Sequence, residues 1–275
     1  MSAPSYSFPS SSQEYDRLRT QARLYENYVK EIPSDLGIRE GMSYLDVGCG
    51  PGEGMRVMGE VIGQSGRVTG FDMDPNMGKE ALSYLRSIGI KSEMRFLTGD
   101  ITKVGRISDE LYDLVYSRFL IPHLREVPLI LKKMFDCVKP GGWLVIQDRD
   151  FSPSSVYPPN STVEEIITMT IRALEHAGVD TKVGRKLPSY FIDAGIGVPD
   201  GTKVHGSLRP ISDTNVLGML RSYKFATLPL AIKLGMTSQE KGEQVLRSLD
   251  LLQNKESHFL LGSLFITVWK KKPMT

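Results

Sequence analysis

The sequence is poor in cysteine, carries little excess charge of either sign, and has no long apolar run. Its two cysteines, Cys49 and Cys137, are too few for a disulfide framework or a cysteine-rich zinc site and favour a reducing, cytoplasmic compartment. A formal net charge of +2 argues against a protein that binds nucleic acid through its phosphates. The longest nearly apolar stretch, Phe259 to Trp269, is shorter than the roughly 20 residues of a membrane helix, so no membrane contact is expected.

The length of 275 residues predicts one large domain with an appendage rather than two independent enzymes. Residues 1–40 are expected to form a tail followed by an amphipathic helix over 13–30, which ends before Pro33. Residues 41–275 are expected to form the main domain, with helical additions at about 151–196 and 211–257.

Short aliphatic runs alternate with helical patterns from residue 43 onward. The runs lie at 43–47, 67–71, 94–97, 114–116 and 143–147, and the helical patterns at 53–62, 75–88 and 127–137. This alternation predicts a parallel sheet with crossover helices. Two later runs, at 202–208 and 262–269, are expected to supply its last strands.

A glycine-rich turn follows the first predicted strand. Gly48, Gly50 and Gly52 alternate there, and glycine lets a ligand approach the backbone closely. A dinucleotide motif needs glycine at its sixth position, where this chain has Glu53, and we expect that carboxylate to repel a pyrophosphate. The turn therefore favours a less negative ligand, and Asp46 offers a carboxylate to a cationic or amine-bearing group.

Two further carboxylates lie at the ends of the next two predicted strands. Asp72 is positioned to accept hydrogen bonds from both hydroxyls of a ribose, and Asp100 to accept one from an adenine amino group. Met73 is either a contact for the adenine face or filler. Each carboxylate by itself is more typical of a helix N-cap, but three at successive strand ends favour a ligand site.

Taken together, these motifs resemble those of class I S-adenosylmethionine-dependent methyltransferases. The resemblance covers about residues 41–150 and rests on Leu45-Asp46-Val47-Gly48-Cys49-Gly50-Pro51-Gly52, Asp72, Thr98-Gly99-Asp100, and Lys139-Pro140-Gly141-Gly142-Trp143-Leu144. A looser similarity points to the small-molecule branch, related to ubiquinone/menaquinone-biosynthesis and fungal secondary-metabolite methyltransferases. It rests on Arg17-Leu18 with Gln21, Ser117-Arg118-Phe119 with His123-Leu124, Gly184-Arg185-Lys186-Leu187-Pro188, and Phe265-Ile266-Thr267-Val268-Trp269.

The resemblance implies an α/β fold: a Rossmann-like, seven-stranded, mostly parallel sheet with helices on both faces and helical cap additions. It also implies S-adenosyl-L-methionine as the cofactor. The implied contacts are Gly48, Gly50 and Gly52 with its methionine part, Asp72 with its ribose, Asp100 and Ile101 with its adenine, Asp46 and Gln21 with its amino acid group, and Ser117 near its methyl group.

Missing motifs narrow the expected substrate. The segment Ser117-Arg118-Phe119-Leu120 differs from the Asn/Asp-Pro-Pro-aromatic element of DNA amino-methylating enzymes, and no Pro-Cys nucleophile for cytosine methylation is present. Metal-assisted catechol methylation needs carboxylates after both the fourth and fifth strands, and Ser117 takes the first of these positions. We therefore expect a small-molecule substrate, no nucleic acid partner and no required metal.

Two residues are candidates for proton removal from the acceptor. His123 follows the fourth predicted strand, with a packing or helix-start role as its alternative, and Asp150 ends the fifth, with a cap or an ion pair with Arg149 as its alternative. Residues 13–30 and the two helical additions are expected to form a lid over the acceptor site, and deletion of residues 1–30 is expected to spare the fold.

The sequence thus favours a methyltransferase that acts on an O or N atom of a small, largely apolar metabolite, in secondary metabolism, as a monomer or homodimer. Two alternatives remain. One is an enzyme of this fold that uses the bound sulfonium without methyl transfer, and the other is a non-catalytic regulatory or scaffold protein.

Overall fold

The computed structural model describes residues 12–253 and 257–274. Within that part the chain divides into two compact units. The first contains residues 12–148, Arg185–Lys203 and 267–274, and the second contains Arg149–Gly184 and Val204–Ile266.

The helices and strands are numbered in chain order. The strands are β1 (Ser43–Val47), β2 (Arg67–Asp72), β3 (Glu93–Thr98), β4 (Tyr112–Arg118), β5 (Val138–Asp150), β6 (Ser155–Tyr157), β7 (Gly201–His205), β8 (Leu208–Pro210), β9 (Phe259–Leu261) and β10 (Leu264–Lys271). The helices are α1 (Ser12–Leu24), α2 (Glu26–Leu36), α3 (Glu53–Ile62), α4 (Pro75–Ser87), α5 (Val127–Asp136), α6 (Ser161–His176), α7 (Val183–Asp193), α8 (Thr214–Arg221), α9 (Tyr223–Ala226), α10 (Leu228–Lys233) and α11 (Gln239–Asp250).

Seven strands form one sheet in the order β3-β2-β1-β4-β5-β10-β7. The neighbouring pairs from β3 to β5 are parallel, and Leu45 of β1 lies in register with Thr69 of β2 and Val115 of β4. Because these strands are parallel, their carboxyl ends meet at one edge of the sheet, where ligands bind in open α/β folds. The predicted Rossmann-like, mostly parallel α/β fold is confirmed.

The core of the first unit explains why β1 and α3 form where they do. Every residue of β1 is buried, as expected for a central parallel strand, and Tyr44 packs against Tyr116 of β4 with ring centroids 6.1 Å apart. Met55, Met58 and Ile62 recur at helical spacing along α3 and are fully buried. Burial of each such side chain stabilises the fold by about 1.5–3 kcal/mol.

The helix predicted over residues 13–30 is wrong in two respects. The chain forms two helices there, separated at Tyr25, whose φ and ψ of −115° and 14° are not helical. The second helix continues through Pro33 and ends before Gly37, which adopts a left-handed φ of 70°. Proline removes one backbone hydrogen bond, but Pro33 and Val29 are both buried in the core, which offsets that loss.

The second unit contains a small sheet that the sequence did not predict. The strands expected at 202–208 and 262–269 form as β7 and β10 of the large sheet, and the chain adds the short strands β8 and β9 next to them in sequence. β9 pairs antiparallel with β6 and β8, and Val156 lies in register with Leu260. Both side chains are buried in a core shared with the helices of this unit, whose buried members include Val163, Ile166, Leu217, Leu220, Val245 and Leu249.

Within the part of the chain that the structure describes, no helix combines the length and the apolar character needed to cross a membrane.

Candidate cofactor-binding site

The turn between β1 and α3 adopts a backbone conformation that requires glycine. Gly48, Gly50 and Gly52 have φ angles of 76°, 51° and 89°, a region that other residues rarely adopt. A Cβ atom added to Gly50 would meet no described atom within 4 Å beyond its chain neighbours. The space beside the middle of this loop is therefore open to a ligand.

Asp72, at the end of β2, is hydrogen-bonded to the glycine loop. Its Oδ2 accepts from the Gly50 backbone N–H at 3.0 Å, and its Oδ1 accepts from the Asp74 N–H at 3.2 Å. Burial raises the pKa of Asp72, while hydrogen bonds from the N–H groups of Asp74, Gly50 and Met73 lower it. The carboxylate thus holds the loop and lies at the strand end where a ribose contact was expected.

Asp46 is a buried carboxylate on β1, directly before the glycine loop, with 3% of its surface exposed. A Cβ atom on Gly54 would lie 2.3 Å from its Oδ2, so glycine at position 54 makes room for the carboxylate. Burial raises the pKa of Asp46 to about 7, although the positive charge of Arg118 lowers it. Asp46 therefore changes charge near neutral pH.

The third predicted carboxylate, Asp100, is partly buried and directly precedes a turn. Its Oδ1 accepts from the Thr102 backbone N–H at 3.0 Å and the Thr102 hydroxyl at 2.6 Å, and its Oδ2 pairs with Lys103 at 3.0 Å. The hydrogen bond from Thr102 is the main cause that lowers the pKa of Asp100. Ile101 beside it is buried, while Met73 is largely exposed.

The end of β4 is fixed by polar contacts on both sides. Ser117 is fully buried, and its hydroxyl donates to the Val47 carbonyl at 2.8 Å, which ties the carboxyl ends of β4 and β1 together. Arg118 donates to the Ala22 carbonyl of α1 at 3.4 Å. Phe119 has a positive φ of 60°, rare for a residue with a side chain.

The N-terminal helices lie beside this edge of the sheet. The ring of Tyr25 meets that of Phe119 edge-on with centroids 5.8 Å apart, and Gln147 of β5 donates to the Tyr28 carbonyl at 3.3 Å. Gln21 of α1 accepts from Arg17 through its side-chain oxygen at 3.1 Å. The structure thus brings α1 and α2 to the ends of β4 and β5, where Ser117 lies.

Comparison with known proteins identifies the type of domain that contains the glycine loop. Residues 45–146 match a protein-family model described as a methyltransferase domain. The matched segment, residues 45–146, is therefore similar to a methyltransferase domain, which agrees with the resemblance to class I S-adenosylmethionine-dependent methyltransferases. The predictions of a methyltransferase-type enzyme, in the small-molecule branch and with S-adenosylmethionine as its class of cofactor, are confirmed.

Relatives of the methyltransferase domain are longer than the segments they share with this chain. Phosphoethanolamine N-methyltransferase 1 of Zea mays is 39% identical over 125 residues, which cover 46% of this chain and 24% of that protein. Demethylmenaquinone methyltransferase of Staphylococcus aureus (strain MRSA252) is 31% identical over 143 residues, which cover 50% of this chain and 56% of that protein. The chain therefore spans about a quarter of the first relative and just over half of the second.

A solved structure supports the fold of this domain. An S-adenosylmethionine-dependent methyltransferase from Aquifex aeolicus superposes with a TM-score of 0.51 at 20% identity. The superposition covers 74% of this chain and 93% of that one.

The two predicted proton acceptors lie in different surroundings. His123 is exposed, in a short 3-10 turn that spans Ile121–His123 after β4. Asp150 is buried at the end of β5 and accepts from the Ser152 backbone N–H at 2.9 Å. That hydrogen bond closes an Asx turn rather than capping a helix, because the next element is the strand β6.

No three His, Cys, Asp or Glu side chains among residues 12–253 and 257–274 come close enough together to hold a metal ion.

Sequence reasoning missed the partners of Glu53. Its carboxylate was expected to repel a pyrophosphate, but it pairs with the guanidinium groups of Arg23 at 3.2 Å and Arg56 at 2.8 Å. Because two cations compensate its charge, the repulsion is weaker than the sequence suggested. Arg23 lies 30 residues from Glu53 in the chain, and spacing over that distance gives no sign of a contact.

Proposed function

We propose that this chain binds S-adenosylmethionine at the glycine loop and transfers its methyl group to an oxygen or nitrogen atom of a small molecule. The observation that carries the proposal is the hydrogen bond between Asp72 and Gly50. It joins the loop to the end of β2, the two elements expected to hold the methionine part and the ribose. The domain match over residues 45–146 supports the same cofactor.

The acceptor capacity of Asp72 supports its role toward the ribose. A carboxylate offers about four lone-pair sites, and the N–H groups of Gly50 and Asp74 use two of them. The Met73 N–H also hydrogen-bonds to this carboxylate, so about one site remains for a ribose hydroxyl. The open space beside Gly50 supports a ligand that runs along the loop, with Gly48 and Gly52 lining its methionine part.

We assign the amino group of the cofactor to Asp46, with Gln21 as a second partner. A cationic amine beside a buried carboxylate favours its ionised form and so lowers its pKa from about 7. The adenine is assigned to Asp100 and Ile101, with Met73 beside them. In this arrangement Asp100 keeps its contacts with Thr102 and uses a remaining lone pair.

Bound S-adenosylmethionine supplies a methyl group on a positively charged sulfur. Transfer is an in-line displacement, so the chain contributes mainly by aligning the two reactants and excluding water. Ser117 supports the alignment, because its hydrogen bond to Val47 fixes the strand ends next to the loop. Where the acceptor must lose a proton, His123 or Asp150 is the proposed base.

The nature of the acceptor is the finer part of the proposal. The resemblance to small-molecule methyltransferases favours a small, largely apolar acceptor from secondary metabolism. It also favours a cytoplasmic enzyme that acts as a monomer or homodimer. The domain match ends at residue 146, before the helices of the second unit begin. The acceptors named for the relatives, phosphoethanolamine and demethylmenaquinone, are therefore the first compounds to test.

Methyl-labelled S-adenosylmethionine provides the test. The protein is incubated with the label and, in separate reactions, with phosphoethanolamine, a demethylmenaquinone and an extract of small metabolites, and Asp72→Ala serves as the control. A labelled small molecule that forms with the wild type and not with the control supports the proposal. A metabolite that is converted without gaining the label indicates an enzyme that uses the bound sulfonium without methyl transfer. Binding of S-adenosylmethionine with neither labelling nor conversion of a metabolite indicates a scaffold.

A further inference from the structure

A buried carboxylate connects several helices immediately after the glycine loop. Glu53 is the first residue of α3, directly after Gly52, and its side chain is 4% exposed. Its Oε1 accepts hydrogen bonds from Arg23 Nε at 3.2 Å and from the Tyr84 hydroxyl at 2.9 Å. Its Oε2 accepts from Arg56 Nε at 2.8 Å. Three side chains therefore hydrogen-bond to this carboxylate at the start of α3.

The partners of Glu53 belong to different helices. Arg23 lies on α1 and Tyr84 on α4, and a second nitrogen of Arg23 donates to the Tyr84 hydroxyl at 3.1 Å. Arg56 of α3 also pairs with Glu26, the first residue of α2. One carboxylate and its two guanidinium partners therefore fasten both N-terminal helices to the start of α3.

The position of α1 matters for the candidate cofactor site. Arg118, at the end of β4, donates to the Ala22 carbonyl of α1, and Tyr25 packs on Phe119. The ends of β1, β2 and β4 meet at this edge, where Asp72 holds the glycine loop. These contacts place α1 beside the edge at which the cofactor is proposed to bind.

The two guanidinium partners of Glu53 differ in exposure. The Arg23 side chain is 56% exposed, whereas that of Arg56 is 13% exposed. Salt and water compete with an exposed ion pair far more than with a buried one. The pair between Glu53 and Arg23 of α1 is therefore expected to be weaker than the pair between Glu53 and Arg56 within α3.

We propose that Glu53 is a positioning residue that fastens α1 beside the glycine loop and so limits how fast S-adenosylmethionine and S-adenosylhomocysteine enter and leave. The inference rests on the proposed function, because it assumes that this cofactor binds at the loop. It assigns to Glu53 a role in cofactor exchange rather than in the chemistry of methyl transfer.

The test compares Glu53→Gln with Glu60→Gln. Glu60 lies on the same helix and pairs with the same Arg56 at 2.9 Å, but it is 48% exposed and lies two turns further from the loop. The dissociation rate of S-adenosylhomocysteine is measured by stopped flow, and amide hydrogen exchange of α1 is measured without ligand. Loss of a charge-assisted hydrogen bond is expected to raise the dissociation rate about tenfold in Glu53→Gln. The dissociation rate of Glu60→Gln is expected to stay within about twofold of the wild-type rate.

A second variant guards against a folding defect. Arg23→Gln removes an exposed side chain and is expected to raise the dissociation rate and α1 exchange as Glu53→Gln does, and the double variant is expected to add nothing. Added salt should raise the wild-type rate toward that of the variants and leave theirs unchanged.

Unchanged dissociation and unchanged α1 exchange in both variants would overturn the inference. A wild type that does not bind S-adenosylhomocysteine would overturn the proposed function instead. In that case faster α1 exchange in Glu53→Gln, without ligand, would still support the fastening of α1, and unchanged exchange would contradict it.

Discussion

The Asp72 carboxylate accepts a hydrogen bond from the Gly50 backbone N–H, with 3.0 Å between oxygen and nitrogen. One side chain therefore both shapes the loop and offers acceptors to a ligand. Removal of these acceptors in Asp72→Ala is expected to weaken cofactor binding by about 1.5–3 kcal/mol, or roughly ten- to hundred-fold. Calorimetric titration with S-adenosylhomocysteine measures the change.

The matched variant Asp72→Asn separates the two roles of Asp72. It keeps one acceptor oxygen for the Gly50 N–H but removes the charge, so we expect an affinity between those of wild type and Asp72→Ala. Equal affinity in all three proteins would place the ribose elsewhere.

Cofactor choice is the second prediction. The glycine loop, with Glu53 in place of the sixth-position glycine of dinucleotide motifs, is expected to bind S-adenosylhomocysteine in the micromolar range and not to bind NAD. Because Arg23 and Arg56 compensate the charge of Glu53, this preference depends on the loop and on Asp46 more than on repulsion. A titration in which NAD binds and S-adenosylhomocysteine does not would contradict the assignment.

Gly54 gives a prediction about stability. A methyl group at this position would lie 2.3 Å from Asp46 Oδ2 inside the core, so Gly54→Ala is expected to destabilise the fold by about 1–3 kcal/mol. Gly218 of α8 is the matched control, because a Cβ atom there meets no described atom within 4 Å. Gly218→Ala is expected to stabilise the fold by up to about 1 kcal/mol. Urea unfolding of both variants checks the opposite signs.

The core of the methyltransferase fold could be predicted from the sequence, because its elements carry strong local patterns. β1 over Ser43–Val47 and α3 over Glu53–Ile62 agree with prediction at both ends. β6, β8 and β9 have three residues each, too few for alternation to show.

The candidate site could be predicted where its residues belong to short local motifs, as the glycines of the loop and Asp72 do. By contrast, the partners of Glu53 on α1 and α4 lie 30 and 31 residues away, and only the folded chain brings them together.

Burial of Val29 contradicts the expectation that deletion of residues 1–30 spares the fold. Val29 is 1% exposed and belongs to the same core cluster as Tyr44 and Met55. Its removal leaves a cavity beside α3, so such a truncation is expected to lower stability as well as activity. Point variants on the surface of α1, such as Arg23→Gln, therefore test its role more cleanly.

Asp46 predicts a pH dependence of stability. Burial raises its pKa in the folded chain from 3.8 to about 7, so between these values the folded state binds more protons than the unfolded state. The contribution of Asp46 to the unfolding free energy is therefore complete below about pH 4 and is lost as the pH rises through about 7. One pKa unit corresponds to about 1.4 kcal/mol, so the loss is expected to exceed about 1 kcal/mol.

Urea unfolding between pH 4.5 and 8 tests this sign. Relative to wild type, Asp46→Asn is expected to lack the decline with rising pH, because asparagine does not titrate. Asp109→Asn, at a position where the side chain is 94% exposed, serves as the control and is expected to run parallel to wild type. Parallel curves for all three proteins would show that Asp46 does not titrate in this range.

His123 gives the last prediction, which concerns proton removal. It lies in the turn after β4, next to Pro122, and its side chain is exposed to water rather than enclosed. If it is the base, His123→Ala should lower turnover by about 10²–10⁴ and leave cofactor affinity unchanged. If alignment alone suffices, as for an amine that arrives neutral, the loss should stay under about tenfold and the pH profile should follow the pKa of the acceptor.

We expect the second result, because an exposed histidine is a poor means of excluding water from the reacting atoms. Turnover against pH for wild type and His123→Ala decides between them, and a large loss together with an altered profile would identify His123 as the base.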